Sequence, residues 1–222
     1  MSSILRTGII GAGGHGRVVR EIVELQAGLE PVAFYDDDPL KWGQVIDGTP
    51  VSGAIGELRG GPRPVDAVVV AIGLNNTLRA RFFEEMSGLG YEMASAIHPY
   101  SSVSKATSIG RGFVGMAGII INPGTEIGEN VCVNTGASVD HDCRLEDHCM
   151  IFPNASIAGG VRVGRLACVC QNASVNQYLT VAARSIVGAG AVVTENIPEG
   201  VVAVGAPARV IRSINDAPEN GP

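Results

Sequence analysis

The sequence predicts an α/β unit of βαβαβ type followed by a parallel β-solenoid, and two observations carry that reading. Over residues 1–95 short apolar runs alternate with helical patterns, whereas from Ile97 onward an aliphatic residue recurs at every sixth position. A change of period marks a change of architecture. The chain therefore divides into a front domain, residues 1–95, and a rear domain, residues 96–222, that ends in a C-terminal tail.

In the front domain the strand candidates are Gly8 to Ile10, Val32 to Tyr35 and Ala67 to Ile72, and the helical patterns are Arg17 to Gln26 and Asn75 to Ser87. Strands alternating with helices form a parallel sheet whose ligand crevice lies beyond the strand C-termini. Three segments fall there: Gly11 to Gly16, Asp36-Asp37-Asp38, and Gly73 to Asn76. The first reads GAGGHG between a strand and a helix, an arrangement in which Gly11, Gly13 and Gly14 let backbone N–H groups approach a phosphate at the helix start. The spelling satisfies GxGxxG, and Asp36 lies 20 residues beyond Gly16, as in dinucleotide-binding domains. A domain of about 95 residues in front of a solenoid leaves no room for a hydride-transfer substrate domain, so another phosphate-bearing ligand is the stronger reading.

The rear period is sharp. Stepping by six from Ile97 through Val103 and Ile109 to Val187 and Val193 gives an aliphatic residue at sixteen of seventeen positions, Gly115 being the exception. Four residues after each stands a mostly small one, as at Ser101, Thr107, Ala137, Cys143, Ala155, Ala167 and Ala191. A narrow coil interior requires this alternation, and the only aromatic residues of the rear domain are Tyr100, Phe113, Phe152 and Tyr178.

The 222-residue chain carries a net charge of −6, which disfavours nucleic acid as a partner and demands local groups for any anionic ligand. Neither a leader segment nor a membrane-length apolar run is evident, so a cytoplasmic location without membrane contact is expected. The five cysteines form no CxxC pair, which fits reduced, packed thiols and no metal site.

The hexads Ile109-Gly110, Ile127-Gly128 and Val163-Gly164 lead to Val187-Gly188-Ala189-Gly190-Ala191-Val192-Val193-Thr194 and then Val204-Gly205-Ala206-Pro207-Ala208-Arg209. With the GAGGHG domain in front, the chain resembles the sugar acetyltransferase family that includes sialic-acid O-acetyltransferases and bacillosamine-pathway N-acetyltransferases, over roughly residues 6–212. The resemblance implies a left-handed β-helix, a homotrimer with sites between subunits, and acetyl-CoA as acyl donor. It also implies a nucleotide-activated amino sugar as acceptor, its pyrophosphate on the glycine loop and its sugar and base held by His15, Asp36 and Asp37, with Gly73 and Asn75 in the same crevice. A plain helix-capping role for His15 is the alternative.

Four histidines occur, at positions 15, 98, 141 and 148. The family's catalytic base is a histidine followed by Asp or Glu at one point of the repeat, and the match falls on His141 and Asp142 in SVDHDC. Chemistry agrees, because a neighbouring carboxylate orients an imidazole and stabilises its protonated form. With eighteen residues per coil, Gly159 stacks over His141, so the wall beside the base lacks a side chain. An exposed Gly159 N–H is then an oxyanion donor, unless the glycines merely turn a corner. Relatives often carry a second histidine where this chain has Met150, and His148 nearby is expected at the surface or an interface. Acetyl-CoA is expected along a groove near Met150, Gln171 and Ala189, with Pro207 and Arg209 at its nucleotide end. Acetylation of a hydroxyl by the same base, or a non-catalytic trimeric nucleotide-binding scaffold, are the alternatives at this level.

Overall fold

The computed structural model describes residues 4–214, so the C-terminal tail beyond them lies outside the described residues. Two units are present: one runs to Pro99 and includes Arg111–Val114, and the other holds Tyr100–Gly110 and resumes at Gly115.

The first unit contains β1 (Leu5–Ile10), α1 (Gly14–Leu25), β2 (Leu29–Tyr35), β3 (Val45–Ile46), β4 (Thr49–Gly53), β5 (Ala67–Val70), α2 (Asn76–Gly88) and β6 (Glu92–Met93). The sheet order is β3-β4-β2-β1-β5-β6. Since β1 pairs in parallel with β2 on one side and β5 on the other, the chain reverses direction across the sheet at the end of β1. That is where an open parallel sheet forms its ligand crevice. All four residues of β5 are buried, as expected of a strand covered on both faces. Onto the sheet α1 turns Val19, Ile22 and Val23, and α2 turns Phe82, Phe83 and Met86.

Three details differ from the sequence reading. The first helix begins at Gly14 rather than Arg17, because Gly13 takes the extended N-cap conformation and the first helical positions need no intrahelical donor bond. The strand expected over Ala67 to Ile72, β5, ends at Val70, and β3 and β4 rather than an α-helix lie between it and β2. The antiparallel pair β3–β4 and the short edge strand β6 escape a periodicity reading because each β3 or β6 segment is only two residues long.

The second unit is a left-handed parallel β-helix. One face stacks Ser102–Val103, Ile120–Ile121, Ser138–Val139, Ser156–Ile157, Ser174–Val175 and Val192–Val193. A second stacks Ser108–Ile109, Glu126–Ile127, Arg144–Leu145, Arg162–Val163 and Thr180–Val181. The third includes Cys132–Val133, Met150–Ile151, Cys168–Val169 and Ile186–Val187. Each residue pairs with the one eighteen positions on, as Ser138 does with Ser156.

The second residue of each of these pairs points inward. Val139, Ile151, Val163, Val181 and Val187 are at most 1% exposed, each burial contributing about 1.5–3 kcal/mol. Ala137, Cys143, Cys149, Ala155 and Ala167 fill the small inward slot at no more than 1% exposure. Ile109 departs from this pattern at 37% exposure, since it lies on the terminal strand of its sheet and is stacked on one side only.

A second hexad period governs the corners. Every sixth residue from Gly112 to Gly190 has φ between 53° and 77°, turning the chain through the left-handed region. Among the described residues no helix is long and apolar enough to cross a membrane.

Candidate active site

The crevice of the first unit is built around the glycine loop. Gly11 has φ +106° and donates its N–H to the Tyr35 carbonyl at 2.8 Å. Gly16 packs so tightly on the Gly11 carbonyl that a β-carbon there would overlap it, whereas Gly13 and Gly14 face space with nothing within 4 Å. The loop thus has one glycine that closes the strand-to-helix turn and two that leave the start of α1 open. The first-turn N–H groups of a helix have no intrahelical acceptors and carry its positive dipole end, so this opening suits an anion.

Asp36 is already hydrogen-bonded. Its Oδ2 accepts the Ala12 N–H at 2.7 Å and the Lys41 ammonium at 2.9 Å, and its Oδ1 accepts the Asp38 N–H at 3.0 Å. Burial pushes this carboxyl up, but the bonds from Lys41, Ala12 and Asp38 outweigh it and hold the group below the usual carboxylate range. Asp36 thus braces the loop while it also lines the cavity at the strand ends.

Asp37 is exposed, and with Asp36, Gly11, Ile55, Ile72, Leu78, Arg81 and Phe82 it lines a cavity of about 340 Å³ at the strand ends. Asn75 is a helix cap, its Oδ1 accepting the Leu78 N–H at 2.9 Å, which restricts its expected ligand role to the amide nitrogen. Gly73 lies against His15: a β-carbon there would stand 3.1 Å from Cγ of the imidazole. His15 is half-buried in the first turn of α1, and burial, followed by the charge of Arg79, lowers its pKa to about 4. At neutral pH it is an uncharged hydrogen-bonding ring. Sequence reasoning missed Arg81, whose cation at the cavity wall carries no motif.

In the second unit His141 and Asp142 occupy one corner of the β-helix. Asp142 is the left-handed residue of that corner, with φ +57°, and its Oδ2 lies 2.8 Å from Nδ1 of His141. A carboxylate only accepts, so Nδ1–H donates and Nε2 carries the free lone pair. The side chains remain 52% and 73% exposed, open to a substrate. The hydrogen bond to Asp142, then the charge of Asp140, raises the imidazole pKa above its ordinary value.

Two supports were missed. Asp140 Oδ1 accepts the His141 N–H at 2.8 Å and the Asn122 amide at 2.8 Å, the latter from the preceding coil. Those bonds, Asn122 first, lower the Asp140 pKa and keep it charged beside the ring. Behind the dyad Cys143 is buried, its thiol held protonated by burial and within 3.2 Å of the Ala158 carbonyl, which leaves it no part as a nucleophile.

Glycines flank the dyad. Gly159 lies over the imidazole, where a β-carbon would stand 2.7 Å from Nε2, and Gly124 lies under the Asp142 carboxylate in the same way. Gly159 is itself buried rather than open as expected, because the His141 ring covers it; its carbonyl accepts the Tyr178 N–H at 2.9 Å.

The remaining predicted positions divide. Gln171 and Ala189 are exposed on one corner of successive coils, linked by the Gly190 N–H to the Gln171 carbonyl at 2.8 Å. Pro207 and Arg209 are exposed, and Arg209 stands 3.9 Å from Glu195. Met150 is corrected: it sits in the ladder between Cys132 and Cys168 at 0% exposure, so its side chain is used in packing. His148, expected at the surface or an interface, is 4% exposed because its left-handed corner turns the ring onto Asn130, 2.9 Å away on the preceding coil. Among the described residues no group of three or more His, Cys, Asp or Glu could hold a metal ion.

Residues 7–86 match the PglD N-terminal domain family. The chain is 30% identical over 203 residues to GDP-perosamine N-acetyltransferase of Escherichia coli O157:H7, covering 90% of this chain and 82% of that one. Among solved structures it is similar to the acetyltransferase domain of PglB from Neisseria gonorrhoeae FA1090, with 35% identity, a TM-score of 0.88 and coverage of 93% and 99%. PerB from Caulobacter crescentus, solved in complex with CoA and GDP-perosamine, is 38% identical with a TM-score of 0.85 and coverage of 93% and 97%. Two other curated relatives are matched over less than two thirds of their length. They are galactoside O-acetyltransferase of Escherichia coli K12, at 59%, and the acyl-[acyl-carrier-protein]–UDP-N-acetylglucosamine O-acyltransferase of Burkholderia thailandensis, at 38%.

Proposed function

The chain belongs to the sugar acetyltransferase family that includes the GDP-perosamine and bacillosamine-pathway N-acetyltransferases, and from that premise we propose that it transfers acetyl from acetyl-CoA to the C4 amine of a nucleotide-linked 4-amino-4,6-dideoxy sugar. GDP-perosamine is the first acceptor to try, since the relatives named for it or solved with it match nearly the whole chain.

In the proposed reaction His141 Nε2 takes a proton from the amine as nitrogen attacks the thioester carbonyl. The tetrahedral adduct then collapses with cleavage of the C–S bond, and the imidazolium returns the proton to the departing thiolate. No covalent enzyme intermediate is required. Asp142 and Asp140 support the imidazolium by hydrogen bond and charge, an arrangement typical of general-base catalysis. Gly159, beside Nε2, is the proposed backbone donor to the oxyanion.

We assign the pyrophosphate to the start of α1 at Gly13 and Gly14, with neutral His15 as a hydrogen-bonding partner and Asp37 and Arg81 at the nucleoside cavity. Acetyl-CoA is assigned to the exposed corner of Gln171 and Ala189, with Pro207 and Arg209 toward its nucleotide end. A cytoplasmic homotrimer completes the proposal: the outward face of Ser138, Ser156 and Ser174 gives a flat surface suited to close approach of another copy.

The observation that carries the reading is the His141–Asp142 pair, half-exposed on a glycine-walled corner. The test is release of CoA thiol with GDP-perosamine, a UDP-linked 4-amino sugar, and free sialic acid. Turnover with an amino-sugar nucleotide alone supports the proposal. Turnover only with sialic acid replaces it by O-acetylation, and no turnover with any acceptor leaves a binding scaffold.

A further inference from the structure

Fourteen corner residues of the β-helix, every sixth from Gly112 to Gly190, adopt left-handed backbone. Ten are Gly, Asn or Asp, the types that tolerate it; the others are His148, Leu166, Tyr178 and Arg184. Tyr178, with φ +60°, is 73% exposed, so burial does not compensate its backbone strain. Its ring lies against Gly160, where a β-carbon would meet Cε1 at 2.7 Å. One coil separates Tyr178 from Gly160, and one coil separates Gly160 from Asp142.

Gly159 and Gly160 therefore form a notch one coil tall. The imidazole of His141 enters it from the preceding coil, and the Tyr178 ring enters it from the following one. The imidazole and the Tyr178 ring thus lie against adjacent residues of one corner, so an acceptor presented to Nε2 passes beside the exposed Tyr178 ring. We propose that Tyr178 is a specificity-determining contact for the acceptor sugar, its ring packing against the C5–C6 edge of the hexose while the C4 amine faces Nε2.

The inference rests on the acetyl-transfer reading given above. With the amine at C4 on the base, the substituent nearest the reacting carbon on the ring-oxygen side is C6. A methyl group gains by contact with an aromatic face, whereas a hydroxymethyl group must shed water there. Tyr178 would thus favour 6-deoxy acceptors.

The test is steady-state kinetics of the full chain and its Tyr178→Asn and Tyr178→Phe variants, using acetyl-CoA and paired 4-amino sugar nucleotides with C6 methyl or hydroxymethyl. Asparagine keeps the left-handed corner, so the first variant removes the ring without straining the fold. Tyr178→Asn should raise the acceptor KM about tenfold and reduce the methyl-over-hydroxymethyl preference by a similar factor, with the acetyl-CoA KM within about twofold. Tyr178→Phe should stay within about twofold of wild type, since the ring face is retained. An unchanged acceptor KM in Tyr178→Asn overturns the assignment, as does a rise confined to the acetyl-CoA KM. A wild-type protein inactive with every amino-sugar nucleotide overturns the functional reading itself, and the sugar contact falls with it.

Discussion

Nε2 of His141 would stand 2.7 Å from a β-carbon on Gly159, so the imidazole holds its position only because residue 159 has no side chain. Gly159→Ala should therefore displace the ring. A misplacement of about 1 Å at a reacting group costs on the order of 10²-fold in rate, and kcat should fall by roughly that factor. Since the His141 side chain is half-exposed, the melting temperature should move little. Steady-state kinetics beside a thermal melt separates the two effects; unchanged kcat in the variant would remove the notch from the mechanism.

The pH profile follows from the raised imidazole pKa. A general base works only when unprotonated, so the rising limb of log kcat should lie above the ordinary histidine value of about 6.5. Asp142→Asn deletes the hydrogen-bonded carboxylate that is the largest cause of the shift, so the limb should move to lower pH while the plateau drops through lost orientation. Asp140→Asn should also move the limb down, through loss of charge beside the ring. A limb that stays fixed in both variants would assign the ionisation to another group.

Two glycines of the front loop should respond differently. Gly13 faces open space, so Gly13→Val should fold normally and weaken sugar-nucleotide binding at least tenfold, with acetyl-CoA affinity unchanged. Gly16 abuts the Gly11 carbonyl, so Gly16→Ala should destabilise the fold by about 1–3 kcal/mol, the range for overpacking. Calorimetric titrations and chemical denaturation measure these separately. Equal loss of both ligands in Gly13→Val would indicate general damage instead.

His15 should impose an acid sensitivity. Its folded pKa of about 4 lies below the unfolded 6.5, so between these values the unfolded chain binds the extra proton. Its contribution to stability is complete above pH 6.5 and is lost progressively as pH falls toward 4. His15→Gln should reduce the drop in melting temperature between pH 7 and pH 5 by a few degrees. An identical drop in variant and wild type would mean that His15 is not held neutral by the fold.

The hexad aliphatic column made the β-helix legible, because narrow interiors force a strict side-chain period on the sequence. Stacking by eighteen also places Gly159 over His141, as the structure does. The corners were less visible. Gly112, Asn130, Asp142 and Tyr178 share one backbone conformation but not one side-chain type, so that period is diluted when residues are classed only as apolar or polar. The partners of Asp36 were not legible either: its bonds to Ala12 and Lys41 follow from loop geometry that no periodicity encodes. Met150 and His148 were misplaced because an outward or corner position in a hexad predicts exposure only where nothing further packs on it. Asn122 and Asp140 act through a bond across coils, and the same eighteen-residue step applied to Asp140 would have revealed it.

The central claim is that Nε2 of His141 accepts the proton of the attacking amine. Turnover by His141→Asn, measured at saturating acetyl-CoA and sugar nucleotide on protein verified as folded by circular dichroism, tests this most directly. The account predicts a kcat lowered by roughly 10²- to 10⁴-fold, loss or displacement of the rising pH limb, and ligand affinities close to wild type. Wild-type turnover in the folded variant would contradict it.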